Sequence, residues 1–121
     1  MIETYQISVT VAGTAGIAVG AGSSTRPASG RIRAVYIDYT TQPATCDVTV
    51  ATKGSSHPVQ TILTRTNSGT DGWFYPRALM GDTAGANLTA IYDALPVDDQ
   101  LTVTVAQGDA GSVLVYVLVG N

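Results

Sequence analysis

Apolar residues recur at every second position along most of this chain. In TYQISVTVA, Tyr5, Ile7, Val9 and Val11 share one side, while Gln6, Ser8 and Thr10 take the other. QLTVTVAQ sets Leu101, Val103 and Val105 on one face, and TCDVTVAT alternates Cys46, Val48 and Val50. RIRAVYIDYTT places Arg33, Val35, Ile37 and Tyr39 against Ala34, Tyr36 and Asp38. A period of two belongs to a half-buried β-strand, and no stretch of useful length keeps the helical period. VQTILTR and ANLTAIY add further short strands, and GTAGIAVGAGSS holds a weak, glycine-interrupted one around Ile17 to Val19. Turn-formers separate these runs: TQPAT, KGSSHP, TNSGTDG, GDTAG, LPVDD and QGDAG. The pattern predicts an all-β, antiparallel, jelly-roll-like β-sandwich of about eight strands, with residues 1–121 as a single domain.

The closing run, SVLVYVLVG, breaks the alternation. Val113, Val115, Val117 and Val119 form one face, yet Leu114, Tyr116 and Leu118 make the other apolar too. An antiparallel sheet commonly leaves one face to water. Such a strand is therefore either central, under a loop or second layer, or buried against a neighbouring subunit. Leu114, Tyr116 and Leu118 are accordingly candidate interface residues.

Charge alters the picture by its scarcity. Charged residues are 12% of the chain, about half the usual share, so Thr, Ser, Gly, Ala and Gln are left to form the surface, which suits burial against other subunits. Net charge is −3, and the basic residues Arg26, Arg31, Arg33, Lys53, Arg65 and Arg77 are scattered. No cluster matches a run of phosphates, so neither nucleic acid nor an anionic membrane is an expected partner. The longest apolar run, residues 113 to 119, falls far below the ~20 residues of a membrane-spanning helix. With no basic leader before an apolar stretch at the start, the expectation is a soluble protein made in the cytoplasm.

Candidate chemistry is sparse. Cys46 is the single cysteine, which excludes an intrachain disulfide, and its place in an alternating run reads as a small buried hydrophobe. The single histidine, His57, precedes Pro58 in a Gly/Ser loop and reads as an exposed turn rather than a base. There is no G-x-S-x-G elbow, and the glycine-rich stretch lacks the G-K-[ST] ending of a phosphate loop. Asp82, Asp93, Asp98 and Asp99 match no calcium-loop spacing and fit turn-capping roles. No catalytic residue, cofactor or metal is expected.

GWFYPRALMGDTAGANLTAIYD, residues 72 to 93, is the exceptional stretch. Trp73, Phe74 and Tyr75 are adjacent and run into Pro76 and Arg77. Three readings stay open for Trp73, Tyr75 and Arg77. They form a fold corner, with Trp73 and Tyr75 to one side, Phe74 to the other and Pro76 ending the ladder at a sheet edge. Or Trp73 and Tyr75 stand exposed as a stacking platform for sugars. Or they anchor a protein interface.

Trp-x-Tyr-Pro-Arg at 73 to 77, the Asp82-Thr83-x-Gly85 turn, the strand ending in Tyr92-Asp93 and the closing LPVDDQLTVTVAQGDAGSVLVYVLV together resemble small jelly-roll-like head decoration, or cement, proteins of tailed bacteriophages. GRIRAVYIDYT at 30 to 40 fits the middle strand of that family. The resemblance implies a structural protein on the capsid exterior of a virion, with the major capsid protein as partner and a homo-oligomer, often a trimer, as the working form. Multivalent contact on a symmetric shell needs a rigid body and small uncharged surface residues, and no chemistry. The alternative is a virion-associated binding module, sugar-binding or tail- or neck-associated. An exposed Trp73 and Tyr75 with polar groups beside them favours that alternative. A buried Trp73 with a symmetric apolar contact favours the cement role.

Overall fold

The computed structural model describes residues 1–120, and within them eleven strands and no helix form. In chain order the strands are β1 (Ile2–Val11), β2 (Ala18–Ser23), β3 (Ala28–Asp38), β4 (Asp47–Thr52), β5 (Thr61–Arg65) and β6 (Gly72–Phe74). Then follow β7 (Arg77–Gly81), β8 (Asn87–Ala94), β9 (Pro96–Asp99), β10 (Leu101–Gly108) and β11 (Gly111–Gly120). One sheet runs β1-β11-β3, with β6 and β9 both paired to the far edge of β3, and the opposing sheet runs β2-β10-β4-β5. All pairings are antiparallel. The two inner faces close on one core, and the fold is an antiparallel, jelly-roll-like β-sandwich.

The alternation read from the sequence is what builds this core. Val9, Val35, Ile37, Val48, Val50, Leu101 and Val103 are fully buried, and their neighbours in sequence face outward because successive strand residues point to opposite faces. The inward faces of β1, β4, β10 and β11 are the expected ones.

Three elements depart from expectation. In β3, Leu118 pairs Ala34 while Val119 pairs Ile32, so Arg33 is an extra residue in the ladder. The bulge shifts the phase by one, turning Ile32 inward and Arg33 out of the Val35 face on which simple alternation puts it. In the glycine-interrupted run, Ile17 and Val19 are exposed, and the strand begins one residue later than expected with Ala18, Gly20 and Gly22 facing in. A Cβ on Gly20 would collide with the Thr10 carbonyl oxygen, and one on Gly22 would lie 2.7 Å from the Ser8 carbonyl oxygen. These glycines let β2 lie directly on the backbone of β1 where the two sheets meet.

The third departure raises the strand number from about eight to eleven. LPVDD, read as a turn, contains β9, which pairs Ala28–Arg31 of β3. β6 pairs Val35–Ile37 of the same strand. β6 and β9 thus lie end to end as one interrupted edge strand. The chain leaves the sheet between them as the hairpin β7–β8, a two-stranded sheet of its own. Asp71 Oδ1 accepts from Tyr39 N at 2.8 Å and fixes the entry to β6, and Ile32 N donates to Leu95 O at 2.9 Å at the return.

Candidate functional site

The β3 register aligns aromatic rings on the outer face of the five-stranded sheet. Tyr36 lies opposite Trp73 on one side and opposite Tyr116 on the other, and Tyr116 lies opposite Gln6 of β1. Neighbouring strands are about 4.8 Å apart, so residues directly opposite each other bring their rings into contact. The Tyr36 and Trp73 centroids are 5.0 Å apart with planes at 55°, and those of Tyr36 and Tyr116 are 6.1 Å apart at 49°. These are the tilted arrangements that the ring quadrupole favours. The result is a row crossing four strands, Gln6–Tyr116–Tyr36–Trp73, twisted as the sheet is twisted.

Trp73 is 50% exposed and Tyr75 is 62% exposed, so the corner reading that buries Trp73 does not describe this protein. The rest of that reading agrees with the structure. Phe74 turns the other way and packs against the core, with the Arg65 guanidinium 4.5 Å over its ring. The ladder ends at Phe74, before Tyr75 and Pro76. Arg77 sits apart from the row. Its Nη1 donates to Pro76 O at 2.7 Å and to Arg33 O at 3.4 Å, which fastens the root of the β7–β8 hairpin.

Leu114, Tyr116 and Leu118 all point to this outer face and are half-buried. β11 lies between β1 and β3, so it is central within its sheet, while its second apolar face stays half-buried on the outside. Cross-strand neighbours Thr4, Ser8 and Asp38 place polar groups beside the apolar ones, Asp38 opposite Leu114 and Ser8 on its other side. The structure therefore brings Trp73 together with Tyr116 from the two candidate sets. Tyr36 joins them without having been singled out. Its signal was available: a large aromatic between Ala34 and Asp38, on the face of the strand opposite Val35 and Ile37.

The polar residues weighed for chemistry go elsewhere. His57 Nε2 lies 3.4 Å from Asp98 Oδ2, on the rim of a cleft of about 250 Å³ lined also by Thr52, Pro58, Gln60 and Pro96. No serine lines it, and the Thr52 hydroxyl accepts from Gln60 N at 2.8 Å. Asp99 is buried beneath the same cleft. Burial pushes its carboxyl up, but backbone N–H groups of Gln100, Ser56, Gly54 and Ser55 donate to it and hold it below the usual aspartate range. Asp93 pairs with Arg31 at 3.7 Å, and Asp82 caps its own turn through Ala84 N and Ala86 N. Each carboxylate is committed to a separate partner, and among the described residues no three His, Cys, Asp or Glu side chains converge. Burial also pushes the Cys46 thiol up, with the Asp47 and Asp109 charges adding to it.

No family model matches this chain, and no curated protein matches it. Solved structures similar to it include a family 29 carbohydrate-binding module, at 14% identity and a TM-score of 0.44, aligned over 98% of this chain and 77% of that one. A point mutant of the module CBM29-2 aligns at 14% identity and a TM-score of 0.45, over 98% and 80%. Another, complexed with cellulohexaose, aligns at 11% and 0.40, over 98% and 79%. Likenesses at this level decide neither ligand nor site residues for this chain.

Proposed function

We propose that this chain is a non-catalytic binding module that holds a saccharide on the outer face of its five-stranded sheet. The observation that supports this reading is the aromatic row Trp73–Tyr36–Tyr116 on the outer face, in which Trp73 is exposed and Tyr36 and Tyr116 are half-buried. Aromatic faces stack on the C–H faces of pyranose rings, removing apolar surface on both partners from water. Hydroxyls at the sugar's rim need donors and acceptors, and Gln6, Ser8 and Asp38 stand beside the row at the register positions to offer them. An open face suits a chain ligand passing over it better than a small molecule, which favours an enclosing pocket. The 55° and 49° tilts present no single plane, so a free, twisting saccharide strand fits better than a flat crystalline surface.

The test is electrophoresis through gels containing soluble polysaccharides, alongside a glycan array. Retardation by at least one polysaccharide, lost in Trp73→Ala and in Tyr36→Ala, is expected. Wild-type mobility unchanged by a broad panel, with no array signal, would sink the reading.

A second reading is virion decoration, for which the resemblance to phage cement proteins speaks. It is favoured by Leu114 and Leu118, which flank Tyr116 with apolar surface on the same outer face. In that role the face meets the major capsid protein or another subunit on the head exterior. Co-sedimentation with capsids lacking the protein, abolished by Leu118→Asp, is the expected result. Binding indifferent to that substitution would move the contact off this face.

A further inference from the structure

Between β9 and the 57–60 segment that leads into β5 lies the cleft of about 250 Å³. Thr52, Val97 and Asp99 are buried and make its floor, and Pro58 and Pro96 give it apolar walls. Its shape is set before anything enters. Asp99 Oδ2 accepts from Gly54 N and Ser55 N at 2.9 Å each, and Thr52 N donates to Gln60 O at 2.9 Å, which ties down both ends of the loop. Ring closure fixes φ in the two prolines. Filling a cleft so preorganised costs little ordering entropy.

The rim is the least committed part. His57 Nε2 and Asp98 Oδ2 stand 3.4 Å apart, beyond the usual N–H···O range of about 2.7–3.2 Å. Their side chains are 62% and 72% exposed, and a pair so exposed contributes little and yields easily to a better partner. One hydroxyl oxygen can bond to both, donating to the carboxylate while accepting from the ring.

We propose that this cleft is a binding site for one pyranose unit, separate from the outer face of the five-stranded sheet. Its volume lies below the roughly 300–1,000 Å³ of pockets for drug-sized ligands, so it has room for one ring and not for a chain. The C–H face of the sugar packs on Pro58, Pro96 and Val97, which removes apolar surface from water on both partners. Its hydroxyls then meet a mixed set of groups. Asp98 accepts, and the Thr52 hydroxyl, already accepting from Gln60 N at 2.8 Å, has its proton left to give. Gln60 carries a donor and an acceptor in one amide. Charged ligands fit less well. No Lys or Arg lines the cleft to hold an anion. For an ammonium group, the Asp99 carboxylate is already satisfied by backbone donors and Asp98 has an imidazole against it.

The test is amide chemical-shift mapping by NMR on the full chain. The probes are the methyl glycosides of glucose, galactose, mannose and N-acetylglucosamine, with n-butylamine as the cationic comparison. At least one glycoside is expected to shift the Gln60, Val97 and Asp98 amides, with a Kd on the order of millimolar. Asp98→Ala should weaken that binding by about tenfold or more at an unchanged melting temperature, because the Asp98 side chain is exposed and bonds to His57 alone among the described residues. In Trp73→Ala the same shifts should persist. The proposal is overturned if no glycoside moves these amides, if the shifts survive Asp98→Ala, or if butylamine produces them and the glycosides do not. Loss of the shifts in Trp73→Ala would also overturn it, since the sugar would then sit on the outer face. Retardation by polysaccharide through the aromatic row is read independently of all four outcomes.

Discussion

Tyr36 stands directly across the β3–β6 ladder from Trp73, with ring centroids 5.0 Å apart, on the solvent side of the sheet. The pair holds the indole in place without burying it, because Tyr36 is itself braced from behind by Tyr116 at 6.1 Å. Trp73 is the only tryptophan in the chain, so its fluorescence reports on this face alone. Unliganded protein should show the red-shifted emission of a half-exposed indole, shifting to the blue as saccharide is added.

Substitution in the row separates binding from stability. Cross-strand aromatic pairs contribute about 0.2–1 kcal/mol, whereas truncating a core aromatic costs about 3–5 kcal/mol. Trp73→Ala should therefore lower stability by no more than about 1 kcal/mol in denaturant titration, while saccharide retardation disappears. Unfolding of the variant at 25 °C would show that the indole is a structural element after all.

Gly22 tests the close approach of β2 to β1. A Cβ there meets the Ser8 carbonyl and the Val9 and Ile7 side chains at 2.7, 3.3 and 3.4 Å. Gly22→Val should destabilise by about 1–3 kcal/mol, the usual range for overpacking. An unchanged melting temperature would mean the two sheets part more easily than their packing implies.

Asp99 ties the 54–56 loop to the start of β10 through its backbone donors. Its carboxyl is held below the ordinary value of about 3.9, so its contribution is complete above that pH and is lost as pH falls through the folded value. Asp99→Asn should melt below wild type at pH 7, and the gap should close as the pH drops beneath the ordinary aspartate range. A gap that stays constant into strong acid would assign the effect to packing instead.

Cys46 is fully buried and its thiol is raised by that burial. Thiolate is the reactive form, so a thiol-specific disulfide reagent should leave the native protein unmodified and label one thiol per chain in denaturant. Fast labelling of the native protein would show that β4 opens readily at its start.

What the sequence determined by itself is the sandwich. Period-two alternation in β1, β4 and β10 names the inward residues because a strand's side chains must alternate, whatever it pairs with. The doubly apolar β11 leaves two readings open in the sequence, a covered central strand or a subunit contact, and its place between β1 and β3 comes from the tertiary structure. Pairing partners, by contrast, are non-local. Nothing near Tyr36 in the chain says that Trp73 and Tyr116 will lie across from it; that follows from β3 being flanked by β6 and β11 in one register. The bulge at Arg33 is equally invisible locally, since it arises from how β3 fits β11. The hairpin was half legible. ANLTAIY reads as a strand, but only the tertiary structure shows that β6 and β9 fill the edge of β3 between them, forcing residues 77 to 94 out of the sandwich. An edge has room for one strand, and two short ones had already taken it.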